Sequence, residues 1–245
     1  MRRNDLDVAA AAWDTSQETM DDVSRRIHDG VPLEQLTTRA DSVVATMRSL
    51  FNLPNSKSLS ILEIGSGLGY LMEAVDRQTC SNPHRPEIVG LDISESMSRK
   101  AQQRLSENPA SKSGLFKFAI YDGLTVPFDD GRFDFIYSVA TLQHIPKPHV
   151  YNLFFEIKRL LNETGFGVLQ FLPFSILPEQ EKTWPWKREI QQQLGMISSN
   201  HWHHYYSEDE IRFVLEHGTG FRHVQITRYG GNLWTCVSKQ PRIKS

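Results

Sequence analysis

Between Ile61 and Tyr70 the chain reads Ile-Leu-Glu-Ile-Gly-Ser-Gly-Leu-Gly-Tyr, an apolar run holding one carboxylate, Glu63, and then three alternating glycines, Gly65, Gly67 and Gly69. Glycines let a backbone turn sharply and approach a ligand that a Cβ would exclude, so this stretch suits a nucleotide-like cofactor. Two more carboxylates end apolar segments downstream: Asp92 in Val89–Ser94 and Asp122 in Ala119–Gly123. A carboxylate at a strand end can accept two hydrogen bonds from the vicinal hydroxyls of a ribose. For proton transfer the first candidate is His144, in Leu142-Gln143-His144-Ile145. Its competing reading is a structural histidine in a turn. His201, His203 and His204 are the second candidates, with Trp186, Trp202, Tyr205 and Tyr206 as walls for an apolar or sugar-like acceptor. The His201-x-His203-His204 spacing could also ligate a metal. A catalytic zinc usually adds a third, well-separated ligand, and neither Cys nor an H-E-x-x-H motif accompanies the cluster, so no metal is expected.

Regular elements must hold these groups in place. Apolar strand-like runs fall at Leu59–Ile64, Glu87–Leu91, Leu115–Ile120, Phe133–Val139 and Gly165–Phe171. Helical patterns lie between them at Tyr70–Gln78, Glu95–Ser106 and Pro148–Leu161. Near-continuous apolar strands alternating with helices predict a parallel sheet covered on both faces. Upstream, Leu33, Leu36, Ala40, Val43, Val44, Met47, Leu50 and Phe51 recur at helical spacing, with Pro32 at the expected first helical position and Pro54 closing the run. Residues 1–30 are also expected to be helical in part. The stretch 173–206, with Pro173, Pro178, Pro185, Trp184 and Trp186, breaks the alternation and is too long for an ordinary connection. Ser207-Glu208-Asp209-Glu210 restarts regular structure with a capping-box signature, and Gly218 and Gly220 stop that helix. The runs Phe221–Arg228 and Leu233–Lys239, joined through Gly230-Gly231, predict an antiparallel hairpin.

Composition narrows the function classes. A chain of 245 residues with 39% hydrophobic content can bury one sizeable core and a small cap. Net charge is −2 and pI near 6.5, which gives no electrostatic case for gripping a nucleic-acid backbone. No apolar run approaches the roughly eighteen residues that a membrane helix requires. Asp5 and Asp7 interrupt any signal-peptide core, and Cys80 and Cys236 show neither framework nor metal spacing; a cytoplasmic location is expected. Arg25-Arg26 and Lys187-Arg188 read as solvated helix charges.

The dinucleotide fingerprint G-x-G-x-x-G needs its third glycine where this chain has Tyr70. The E-x-G-x-G-x-G order resembles instead the first motif of class I S-adenosylmethionine-dependent methyltransferases. Val89–Ser94, Ala119–Gly123 with Leu124 and Pro127-Phe128, Phe133–Ser138 with Leu142–Ile145, and Tyr206–Ile211 with Gly220-Phe221 resemble later segments of that family in order. The resemblance covers residues 59–172 and 207–239.

The resemblance implies an α/β, three-layer Rossmann-like fold with a seven-stranded, mostly parallel sheet whose last strand is antiparallel. It implies S-adenosylmethionine as cofactor and S-adenosylhomocysteine as product. Glu63 and Gly65 would then lie near the methionine amino group, and Gly67 and Gly69 beneath the cofactor. Asp92 would hold the ribose, Ile93 and Met97 would face the adenine, and Asp122 and Gly123 would meet its edge. Ser138 and Val139 would lie on the sulfonium side. Asn162-Glu163-Thr164-Gly165 departs from the Pro-Gly-Gly turn of many relatives. The fourth strand runs into Ser138-Val139-Ala140-Thr141, not the Asn/Asp-Pro-Pro-Tyr of base-methylating relatives, which favours a small-molecule acceptor over nucleic acid.

The expected organisation is an N-terminal helical lid over residues 1–57, a cofactor-binding domain over 58–172 and 207–245, and a substrate cap over 173–206. Oxygen and nitrogen acceptors both remain open, as does the oligomeric state. Two rival functions are a nicotinamide-dependent oxidoreductase, against which Tyr70 and the Asp122 segment count, and a non-catalytic scaffold that binds the cofactor.

Overall fold

The computed structural model describes residues 10–28, 30–53, 59–79, 86–108, 115–176 and 203–241. Trp186, His201, Trp202 and Cys80 lie outside the described residues, as does most of the expected cap. Two compact units are defined: residues 1–128 with 132–136, and residues 129–131 with 137–245.

In the first unit, β1 (Ser60–Ile64) is buried at Ile61, Leu62, Glu63 and Ile64 in succession. Burial on both faces is what a parallel strand between helical layers requires. It runs parallel to β2 (Glu87–Asp92), with Ile61 opposite Ile88 and Ile64 opposite Leu91. β2 in turn runs parallel to β3 (Leu115–Ile120), and the hydrogen-bonded order is β3-β2-β1-β4. Strand β4 (Phe133–Ser138) is divided, Phe133–Ile136 in this unit and Tyr137–Ser138 in the other.

The helices of this unit start and stop on local signals. α1 (Met20–Ile27) has a complete capping box between Thr19 and Asp22. α2 (Leu36–Phe51) is entered through a single 3₁₀ turn, Leu33–Gln35, so Pro32 stands just outside it in extended conformation, not at the first helical position. α2 ends on Asn52, whose φ of 47° is the left-handed cap that asparagine tolerates well. α3 (Tyr70–Thr79) packs along α2, with Arg77 paired to Asp41 at 2.8 Å and Gln78 Nε2 donating to the Asp41 carbonyl. α4 (Glu95–Glu107) is capped by Ser94, whose hydroxyl accepts from Met97 N. Val23, Leu36, Leu68 and Met97 form one buried cluster rimmed by Ile27, Val31, Leu33 and Tyr70. The N-terminal helices are thereby packed on the glycine turn and on α4.

In the second unit, α5 (Lys147–Leu160) passes directly into β5 (Leu161–Pro173). The strand begins four residues before the expected Gly165, directly at the end of α5, and Asn162 Oδ1 accepts from Thr164 N at 3.0 Å near its start. A two-residue strand, β6 (Tyr205–Tyr206), pairs parallel to the end of β5 and adds an eighth strand to the expected seven. α6 (Glu208–Phe213) follows and ends in a π-helical turn, Val214–Gly218. β7 (His223–Tyr229) and β8 (Asn232–Ser238) form the hairpin, with Gly230 and Gly231 at φ 58° and 78°. Two successive positive φ angles match the twist of a two-residue hairpin. β8 lies antiparallel to both β5 and β7, in the order β4-β5-β8-β7. The result is the mixed Rossmann-like sheet, parallel except for its last strand. No helix among the described residues is long and apolar enough to cross a membrane.

Candidate active site

The glycine turn is tied to the second strand by its backbone. Gly65 N and Ser66 N both donate to the Leu91 carbonyl, at 2.7 and 3.1 Å, and Gly69 N donates to the Ser66 carbonyl at 2.8 Å. Gly65, Gly67 and Gly69 have φ of 75°, 51° and 75°, a region that costs other residues about 1–2 kcal/mol each. Gly67 N donates to Asp92 Oδ2 at 3.0 Å, and Ser94 N donates to Asp92 Oδ1 at 2.9 Å. Turn and strand-end carboxylate are therefore one hydrogen-bonded unit. Burial raises the Asp92 carboxyl above its usual range, against the opposing pull of the Ser94, Gly67 and Ile93 amides. A Cβ built on Gly67 would meet nothing within 4 Å. This open cradle beside a ribose-competent carboxylate fits an adenosyl cofactor.

Asp122 is exposed, and its Oδ1 accepts from Leu124 N and Thr125 N at 2.9 Å each, while Gly123 adopts φ 81°. Tyr121 N donates to the Asp92 carbonyl at 3.3 Å. Burial raises the Tyr121 phenol, and the Asp92 and Asp122 charges raise it further. Both carboxylates thus act on one side chain. Glu63 is buried at the end of β1, Ile93 is half-buried, and Met97 belongs to the cluster with Val23, Leu36 and Leu68. The segment before α1 is pinned beside Asp92: Thr15 N donates to Ser96 Oγ, Ser94 Oγ to the Trp13 carbonyl, and Lys100 Nζ to the Glu18 carbonyl, at 2.7–2.8 Å.

One residue of this unit has a role that the motif does not display. Gly90 lies in β2, and a Cβ there would stand 2.8 Å from both Ser66 Cβ and Met72 Sδ. The methionine can swing away, whereas Ser66 belongs to the turn. Gly90→Ala is expected to destabilise the protein by about 1–3 kcal/mol through overpacking, read as a lowered urea midpoint with unchanged m-value.

In the second unit, His144 closes the 3₁₀ turn Leu142–His144 and its amide donates to the Thr141 carbonyl. The His203 ring lies 4.9 Å from it at 44°, and Tyr205 lies 6.4 Å beyond His203. His204 N donates to the Gln143 carbonyl at 2.7 Å, so the chain returning from the insert is bonded to the His144 turn itself. Burial pushes the His204 imidazole down to about 4, with the Lys147 and His203 charges adding to the effect and Glu210 opposing it. His204 is consequently neutral at physiological pH. Glu210 donates its amide to the Ser207 cap, but its carboxylate does not complete the box. It accepts instead from Lys147 at 2.6 Å and from the Tyr151 hydroxyl at 2.5 Å. Lys147 lies 4.6 Å above the Tyr206 ring, which is 1% exposed and packed on Phe171. Ser138 and Val139 are buried, and Ala140 beyond them has φ 54° with its amide donating to Gln170 Oε1. Strain at a non-glycine residue of this kind is often stored beside functional groups.

The structure thus gathers Gly65, Gly67, Gly69, Asp92, Ile93, Asp122 and Gly123 within the first unit, with Glu63 beneath. Ser138, Val139, His144, His203, Tyr205 and Tyr206 fall within the second. Tyr206 belongs to its core, while His203 and Tyr205 are half-buried. Among the described residues no group of three or more His, Cys, Asp or Glu could hold a metal ion.

A parallel sheet with a glycine turn after its first strand and a carboxylate closing its second defines a Rossmann-like cofactor-binding protein. Residues 61–165 match the family model described as a methyltransferase domain, in keeping with the fold and site of the class I S-adenosylmethionine-dependent methyltransferases. A stretch of 106 residues is 32% identical to phosphoethanolamine N-methyltransferase 2 of Caenorhabditis elegans, covering 43% of this chain and 22% of that protein. Another of 118 residues is 28% identical to 27-O-demethylrifamycin SV methyltransferase of Amycolatopsis mediterranei, covering 48% and 39%. The match thus takes in well under half the length of each of these relatives. The fold superposes on magnesium protoporphyrin IX methyltransferase of Synechocystis PCC 6803 with bound S-adenosylmethionine, at a TM-score of 0.60 and 20% identity over 96% of this chain and 97% of that one. It also superposes on Haemonchus contortus phosphoethanolamine N-methyltransferase 2, at 0.60 and 18% identity over 93% and 46%. At such identities the likeness is one of fold.

Proposed function

We propose that this protein transfers a methyl group from S-adenosylmethionine to an oxygen or nitrogen of a small-molecule acceptor, with His144 as the general base. The observation that carries the reading is the Gly67 amide on the Asp92 carboxylate, with open space above Gly67. When bound, the cofactor supplies an electrophilic methyl on a sulfonium. Asp92 accepts from its ribose hydroxyls, Gly65, Gly67 and Gly69 give it backbone access, and Glu63 lies on the methionine side. Asp122 and Gly123 recognise the adenine edge, with Ile93 against its face. Met97 supports that face from the buried cluster, and Ser138 and Val139 lie on the sulfonium side.

The imidazole nitrogen of His144 takes the proton that the acceptor loses, and His203 and Tyr205 present an aromatic surface to it. Tyr206 supports the acceptor side from the core, and the helices within 1–57 form the lid; Trp186, His201 and Trp202, assigned with 173–206 to an acceptor cap, lie outside the described residues. Relatives named for phosphoethanolamine, a rifamycin and sterols favour a small organic acceptor over nucleic acid. The net charge of −2 supports the same choice. The two cysteines, Cys80 and Cys236, with neither framework nor metal spacing, support a cytoplasmic compartment.

The test is calorimetric titration of S-adenosylhomocysteine and NADH, side by side, into the wild-type protein. Binding of the homocysteine compound alone supports the reading. Binding of NADH without it moves the protein to hydride transfer. A protein that binds tightly but yields no product across small-molecule acceptor libraries is a scaffold.

A further inference from the structure

Three alternating glycines make a turn that is costly to order, because glycine loses more conformational freedom than any other residue. A ligand that must order such a turn binds more weakly than one that meets it already in place. Something in the first unit should therefore hold the turn, and the structure assigns that task to Arg104 on α4.

The Arg104 guanidinium reaches the turn from outside the motif. Its Nε donates to the Leu68 carbonyl at 2.9 Å, between Gly67 and Gly69. Its Nη1 pairs with Glu73 Oε2 at 2.8 Å, one turn into α3, with only 11% and 5% of the two side chains exposed. Its Cζ stands 3.8 Å over the centre of the Tyr70 ring. One planar cation thus bonds the turn's carbonyl, stacks on the residue that ends the motif, and pairs with the helix that follows. A lysine could not do all three, since the plane and the fork are properties of the guanidinium.

The link to binding is direct in the hydrogen-bond order. Leu68 follows Gly67, whose amide is bonded to Asp92. Fixing the Leu68 carbonyl orients the adjoining peptides, and so presents the turn and the ribose carboxylate together. Tyr70 adds the second anchor, held between Arg104 and the cluster of Val23, Leu36, Leu68 and Met97. The tyrosine that displaces the third fingerprint glycine is thereby the stacking platform for this clamp. Arg104 is a positioning residue for the cofactor turn; this rests on the proposed cofactor reading.

The experiment uses the full chain with S-adenosylhomocysteine as probe, titrated at 10 °C. Thermal unfolding without ligand and hydrogen exchange at the amides of Gly67–Tyr70 are measured alongside. Arg104→Gln is expected to weaken binding roughly tenfold, the loss of one charge-assisted hydrogen bond. Exchange protection of the turn should fall with it, while the protein remains folded at the titration temperature. Arg104→Lys should recover part of the affinity. Tyr70→Leu, which removes the stack, should weaken binding with the same loss of protection. Wild-type affinity and turn protection in Arg104→Gln overturn the clamp, as does weakening that merely tracks the unfolded fraction. Should Arg104→Gln fail to fold, Tyr70→Leu decides by the same two readouts. If the wild-type chain itself binds no S-adenosylhomocysteine, the cofactor reading has failed, separately from the clamp.

Discussion

Replacing Asp92 by alanine is expected to weaken S-adenosylhomocysteine binding by about 100-fold or more, read by calorimetric titration. A carboxylate accepting two hydroxyl donors contributes about 1.5–3 kcal/mol per charged hydrogen bond. The substitution also releases the Gly67 and Ser94 amides that Asp92 now ties together. Asp92→Asn separates charge from shape, keeping the acceptor on one side and losing the second. Its affinity should lie between those of wild type and the alanine variant.

The raised Asp92 carboxyl adds a pH signature. Ribose hydroxyls donate best to the ionised form, and burial favours the protonated one. Affinity should fall as pH is lowered through the raised pKa, at a higher pH than for an ordinary aspartate. In Asp92→Asn this limb should vanish. The ligand-free protein shows the opposite sign: the native state holds this proton more tightly than the unfolded chain, so this group's contribution to stability rises on acidification. A wild-type affinity that stays flat down to the ordinary carboxylate range would remove Asp92 from the ribose.

The second large effect is expected for His144→Ala. A positioned general base accelerates proton transfer by about 10²–10⁴-fold, so kcat on the acceptor should drop by that order, with S-adenosylhomocysteine affinity unchanged. His203→Phe keeps an aromatic ring against His144, whereas His203→Ala removes it. If the stack orients the base, the phenylalanine variant should retain most of the rate and the alanine variant should not. Full activity of His144→Ala would mean that positioning alone drives the transfer and that the histidine is structural.

The parts of the site legible in the sequence are those whose chemistry is local. Gly65, Gly67 and Gly69 are needed by the φ of the turn they form, and Asp92 ends the strand that its own apolar run defines. The hairpin at Gly230-Gly231 was legible for the same reason. Elsewhere the determining partner is distant in the chain. Gly90 looks like an ordinary strand residue until Ser66 is set against it. Nothing in the local sequence singles out Arg104, whose partners Leu68 and Glu73 lie more than thirty residues earlier. Glu210 carries a capping-box signature, yet Lys147 and Tyr151, some sixty residues earlier, claim its carboxylate. Periodicity also missed β6, because two residues cannot show a period. Tyr205 and Tyr206 read as cap aromatics for that reason, while the pairing with Leu172 and Pro173 puts Tyr206 into the core.

That short strand has a consequence for how this chain can vary. Leu172 and Tyr205 are register partners in a parallel pair, so the two ends of the segment 174–204 are held about one strand spacing, roughly 4.8 Å, apart. The sheet itself closes the loop. For a loop with fixed ends the entropic penalty grows only logarithmically, by about 0.6 kcal/mol for each doubling of length. A change in the length of the connection therefore adds little to the closure cost, provided that His203 and His204 at its end keep their places against His144 and Gln143. The short strand is in that sense a socket, whose frame is set by the sheet and not by what is fitted between its two sides.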